Sequence, residues 1–167
     1  MIALPDKASN EGAEARVLIA ECPGPGAASY TLLLASEAMQ LMDAVLRNRL
    51  ANPGPFGAKG ATTIAGVIKA KGQFYGFEGY PNYNSGIKQN IQSAIDIANN
   101  PKDKRSAAYT SFLEKAIEIA KLTKFSDPSP GKLVAWRTAH SGSAGKNFIE
   151  YKTVFGNTFF YQIIPKN

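Results

Sequence analysis

One histidine and one cysteine in 167 residues limit the available chemistry severely. A structural zinc site needs four nitrogen or sulfur ligands and an intramolecular disulfide needs two thiols, so both are excluded, and metal-dependent chemistry would need oxygen ligands. No cofactor is expected. The chain has no GxxxxGK[ST] phosphate loop, HExxH, GxSxG, CxxC or EF-hand loop. A Cys22/His140 nucleophile pair is poorly placed, because a cysteine at a helix carboxyl end feels the negative end of the dipole, which disfavours thiolate. Carboxyl groups remain, and the informative one is Glu21 in RVLIAECPGPG. At the end of an apolar helix a glutamate is partly desolvated and close to unpaired carbonyls, and both effects favour its protonated form. A general acid requires that. The bland alternative is an exposed helix-end glutamate, which position alone does not exclude.

Glycoside cleavage is the reaction class that uses such a tuned acid: it protonates the leaving oxygen while a cation-like sugar forms. A second carboxylate is needed roughly 6.5 to 9.5 Å away for inversion or about 5 to 5.5 Å away for retention, and none when the sugar's own substituent attacks. Glu37, Asp43, Glu78 and Glu150 are the available partners, with Glu78 the foremost because it sits in the aromatic segment GQFYGFEGYPNYNSG. An ordinary loop glutamate is its alternative role. In the same segment Phe74, Tyr75, Phe77, Tyr80 and Tyr83 can stack on sugar faces, or anchor a long loop to the core, and both roles are expected for different members. His140, between a strand and a flexible Ser/Gly loop, is a candidate substrate contact or a plain surface residue. Trp136 is expected in the core, and Tyr151 and Tyr161 in core or cross-strand packing, with cleft lining as their alternative role.

These side chains have to be positioned by a small set of elements. Ser9 to Glu21 reads as a helix capped by Ser9 or Asn10, ended by Cys22-Pro23-Gly24-Pro25. Ser36 to Leu50 carries the apolar stripe Met39, Met42, Leu46 and Leu50 and is expected to be the central helix, with Tyr30 to Leu34 either extending it or forming a separate turn. Thr62 to Lys69 reads as a short helix, and two amphipathic helices follow, one capped by Ser85 and one bearing Tyr109, Phe112, Leu113, Ala116 and Ile117. LVAWRT is strand-like, and Ile149 to Phe155 and Thr158 to Ile164 flank Gly156-Asn157, a dipeptide suited to a hairpin turn. The expected fold is α+β, mostly helical with a small antiparallel sheet near the carboxyl end, in a single domain over 1–167.

Four pieces, in order, carry a resemblance: ARVLIAE, AVLRNRL, TTIAGVIKAKGQF and GNTFFYQ, spanning Arg16 to Gln162. Together they resemble the spore-cortex-lytic type of bacterial cell-wall hydrolase, within the lysozyme-like superfamily. The resemblance implies a lysozyme-like catalytic domain acting on peptidoglycan. It places the family's catalytic glutamate on Glu21, a helix-end pair on Asn48-Arg49, and a cleft-bordering segment on Gln73-Phe74, where Gln73 would orient a sugar amide or a water. Substrate contacts are then expected from Gln73, Phe74, Tyr75, Tyr80 and His140, with Glu21 and Glu78 as the catalytic pair. Two departures stand out. Extra residues, PGPGAASYTLLLA, separate Glu21 from Asn48, and Thr158 replaces a histidine in the closing strand.

The formal charge of +6 and a pI near 9.4 suit a polyanionic partner. The densest basic run, Lys102, Lys104 and Arg105, lies beside Asp103 between two helices and reads as a solvated loop, so nucleic acid is not the expected partner. No apolar run approaches the roughly 20 residues of a membrane-spanning helix, and no membrane insertion is expected. MIALPDKASNEG lacks the regions of a cleavable signal peptide. The expectation is a wall hydrolase made in the bacterial cytoplasm and delivered by phage lysis machinery or by contact-dependent injection, and the domain is similar to the type VI secretion effectors that act as toxins on the wall in a rival's periplasm. An immunity protein occluding the cleft would accompany it. Muramidase, N-acetylglucosaminidase and lytic transglycosylase activities are all open, and the rival class is a non-catalytic cell-wall or nucleic-acid binding module.

Overall fold

The computed structural model describes residues 1–163. Ser9 caps the first helix, its hydroxyl accepting the Gly12 N–H at 2.9 Å. Helix α1 (Asn10–Glu21) then runs until Cys22 turns extended ahead of Pro23. Helix α2 (Leu32–Ala51) starts one turn before its apolar stripe, because Thr31 accepts the Leu34 N–H and supplies the cap. Of the two roles open to Tyr30 to Leu34 the extension is the one found from Leu32 onward, although Leu32 and Leu33 are themselves exposed. A short 3-10 turn (Gly54–Phe56) and the one-turn helix α3 (Ile64–Ile68), capped by Thr63, lead into the aromatic loop.

Helix α4 (Ser85–Ala98) is capped by Asn84 rather than by Ser85: the Asn84 carboxamide oxygen accepts from both Gly86 and Ile87. Helix α5 (Ser106–Ala120) packs against α1, α2 and α4. Strands β1 (Lys132–Thr138), β2 (Ile149–Val154) and β3 (Asn157–Gln162) form an antiparallel sheet in the order β1-β3-β2. The fold is therefore α+β, with the sheet at the carboxyl end. Ile164, expected at the end of the last strand, lies outside the described residues.

The hairpin turn is centred one residue earlier than its sequence suggests. Phe155 and Gly156 both have positive φ (43° and 81°), the pattern of a type I′ turn, and Asn157 is already the first residue of β3, facing Thr138 and Val154. Asn157 is buried, and its amide is engaged elsewhere, as described below.

Two patches of core meet around α2. One gathers Leu18, Met39, Met42, Phe112, Leu113, Leu133 and Phe159 between α1, α2, α5 and the sheet. The other gathers Val17, Leu46, Val67, Ile68, Phe74 and Phe77 beneath α3 and the aromatic loop. Trp136 packs against both. Strand β1 carries a bulge: Leu133 faces Tyr161 while Ala135 faces Phe160, leaving Val134 as an extra residue. The segment before β1 is pinned by Asp127, whose Oδ2 accepts from Leu133 N (2.8 Å) and Asn48 Nδ2 (2.6 Å). Among the described residues no helix is long and apolar enough to cross a membrane.

Candidate active site

Glu21 stands where α1 stops, and the stop is what aims it. The extended backbone at Cys22 ends the helix, while Asn157 at the start of β3 donates its amide to the Glu21 carbonyl oxygen at 3.4 Å. The hairpin thereby satisfies one of the carbonyls that a helix terminus leaves free. The carboxyl group itself points into a cleft of about 140 Å³ lined by Glu21, Arg49, Gln73, Phe74, Tyr75 and Trp136. Four separate stretches of chain meet there: the ends of α1 and α2, the start of the aromatic loop, and β1.

Burial pushes the Glu21 carboxyl above its ordinary range, because a charge in this partly desolvated position loses hydration. The hydrogen bond from Trp136 Nε1 to Oε2, at 3.4 Å, acts in the opposite direction by stabilising the carboxylate. Burial is the larger effect. The group is thus poised to hold a proton beyond an exposed glutamate's range and to release it without losing every partner.

Arg49 lines the same cleft. Its Nε donates to the Val134 carbonyl at 2.7 Å and one terminal nitrogen donates to Gln73 Oε1 at 2.8 Å. The bulge in β1 is what leaves the Val134 carbonyl available to Arg49. The guanidinium also lies 5.5 Å from the Phe74 ring centre and 5.9 Å from that of Phe56. Desolvation lowers its pKa to about 10, so it remains charged at neutral pH. Gly57 leaves room for Gln73: its φ is +73°, and a Cβ there would lie 2.6 Å from Gln73 Nε2.

The aromatic loop divides by role. Phe74 is 5% exposed and packs 5.3 Å from Trp136, and Tyr75 is 85% exposed at the cleft mouth. Tyr80 does not reach the cleft. Its ring stacks with Tyr83, and its hydroxyl donates to the Lys7 carbonyl at 2.5 Å, which makes it an anchor for the amino-terminal segment. Phe77 is fully buried against both tyrosines.

Neither Glu78 nor His140 joins Glu21. The Glu78 carboxylate turns back to accept the Gly76 N–H at 2.9 Å and lines a different depression. His140 is exposed in the turn after β1, with φ of 66°, outside the cleft lining. The other expected partner carboxylates are elsewhere too. Glu37 pairs with Lys152, Asp43 with Arg47, and Glu150 is exposed on β2. Among the described residues lining the cleft, Glu21 is the only acid.

Two contributors, Trp136 and Asn157, escaped sequence reasoning as site residues, and Arg49 entered it only as half of the helix-end pair Asn48-Arg49. A half-buried indole needs an acceptor for its N–H, so Trp136 carried a signal that a core assignment overlooks. The contact that orients Arg49 has no local signal, since nothing near it reveals a bulge on a strand 85 residues away. Comparison with known families, with curated proteins and with solved structures finds no match to this chain.

Proposed function

We propose that this chain is a peptidoglycan glycoside-cleaving enzyme of lysozyme-like type, with Glu21 as proton donor. The observation that carries this reading is the half-buried Glu21 carboxyl, raised in pKa, in a cleft walled by Phe74, Tyr75 and Trp136. The four-piece resemblance to cell-wall hydrolases supports the same substrate class, and the net positive charge suits an anionic wall.

A cleft with one carboxyl group favours attack from within the sugar over attack by an activated water. Glu21 gives its proton to the bridging oxygen, the bond from that oxygen to the anomeric carbon breaks, and positive charge develops on the muramic acid ring. The ring's own C6 hydroxyl closes onto the anomeric carbon and returns its proton to the Glu21 carboxylate. No water is consumed, and one group serves as acid and then base. Gln73, held by Arg49, would receive an acetamido group, and the aromatic rings would offer flat faces to the sugars.

Mass spectrometry of fragments released from purified sacculi tests this reading. Products one water lighter than hydrolytic muropeptides are expected. Fragments with ordinary reducing ends would overturn the internal attack. No fragments, with the chain still pelleting with the wall, would make it a binding module. As an antibacterial toxin, restrained in its own cell by an inhibitor seated in the Glu21 cleft, the chain should lyse a bacterium when exported to its periplasm and be harmless in its cytoplasm.

A further inference from the structure

The Glu21 cleft is small, about 140 Å³, against roughly 300–1,000 Å³ for typical ligand pockets, so a glycan bound there has to extend past its walls. On the far side of the Gly57–Gln73 contact lies an open groove of about 540 Å³. It is lined by Lys59, Lys69 and Lys71, by the hydroxyl-bearing Thr62 and Thr63, and by Glu78. All three lysines are exposed, and among the described residues none is in an ion pair. The groove thus carries three ammonium groups and one carboxylate. Gly57 is part of its lining, and Gln73, which Gly57 contacts, is part of the cleft's lining, so the two depressions share a wall.

We infer that this groove is a subsite for the peptide stem of the substrate, binding its carboxylates on Lys59, Lys69 and Lys71 while Glu78 faces its free amine. The inference rests on the glycan-cleft reading above. The chemistry fits one occupant better than others. A wall peptide carries several carboxylates, at most a few amines, and is attached to the very sugar that Glu21 would act upon. A nucleic acid would bring a continuous phosphate row with no use for Glu78, and the groove has no aromatic platform for bases. Glu78 therefore acts in substrate positioning rather than in the chemical step.

Binding to the full chain bearing Glu21→Gln, measured calorimetrically, separates the possibilities. The ligands are a soluble disaccharide-peptide from peptidoglycan, the same disaccharide stripped of peptide, and a short single-stranded oligonucleotide. The peptide-bearing ligand should bind about tenfold more tightly than the stripped one at low salt, with the gap closing as salt rises. The combined variant Lys59→Ala, Lys69→Ala, Lys71→Ala should lose that gap and keep its affinity for the stripped disaccharide. The same lysines changed to arginine should keep it. Equal binding of the two sugars, or a gap that survives the alanine variant, would overturn the inference. So would an oligonucleotide that binds more tightly than the peptide-bearing sugar through the same lysines. If the unsubstituted chain releases nothing from sacculi while the peptide-dependent gap holds, the catalytic reading fails and the subsite stands.

Discussion

Trp136 and Glu21, 115 residues apart in the chain, meet through a single hydrogen bond of 3.4 Å from the indole N–H to the carboxyl. Every other neighbour of that carboxyl contributes burial, so the indole is the one group that favours the charged form. Trp136→Phe keeps the ring that packs on Phe74 and removes the donor. The Glu21 pKa should rise further, because the carboxylate loses its partner while desolvation persists. The alkaline limb of the pH profile of kcat/KM should therefore move to higher pH. A limb that stays in place or moves lower would show that the indole does not tune the acid.

A second carboxyl group is displaced further still. Glu14, on the face of α1 that packs toward α2, is 1% exposed, and burial together with the adjacent Asp43 pushes its carboxyl well above the ordinary glutamate range. Asp43 in turn accepts from Arg47 at 2.7 Å, so the cluster is balanced when Glu14 keeps its proton. Above the ordinary glutamate range the folded chain therefore still holds a proton that the unfolded chain has lost. Stability is then complete below that range and declines as pH rises through it, with a limiting slope of about 1.4 kcal/mol per pH unit for one group. Glu14→Gln should flatten the fall in melting temperature between neutral and alkaline pH. An unchanged slope would place the loss of stability in another group.

Arg49 links the end of α2 to β1 and to Gln73 at once. Lysine cannot reach both acceptors with one fork, so Arg49→Lys should leave either the Val134 carbonyl or Gln73 without its donor. The expected cost is about 1–3 kcal/mol in stability, read by denaturant unfolding. Cleavage should fall through kcat more than through KM, since the glycan keeps its aromatic contacts while the amide that orients it drifts. A variant with wild-type stability and turnover would remove Arg49 from the account.

Much of this architecture was legible beforehand. Ser9, the Cys22-Pro23 stop and the 3.6-residue stripe on α2 are local signals, and the helix that presents Glu21 follows from them. The misplaced features depend on distant partners. The hairpin turn moved to Phe155-Gly156 because Asn157 belongs to β3 and holds the Glu21 carbonyl. Tyr80 left the expected cleft because its hydroxyl finds the Lys7 carbonyl, and Glu78 because a backbone N–H two residues away captures it. No periodicity encodes such contacts, and the Val134 bulge that recruits Arg49 is equally silent in the sequence.

The release of soluble fragments from purified sacculi by the unsubstituted chain and by Glu21→Gln tests the central claim most directly. The substitution preserves shape and an acceptor for the Trp136 N–H and removes only the transferable proton. Loss of a general acid costs roughly a hundred- to ten-thousand-fold in rate, so the unsubstituted chain should release fragments and the variant almost none, at equal folding. Equal release by both would contradict Glu21 as the proton donor.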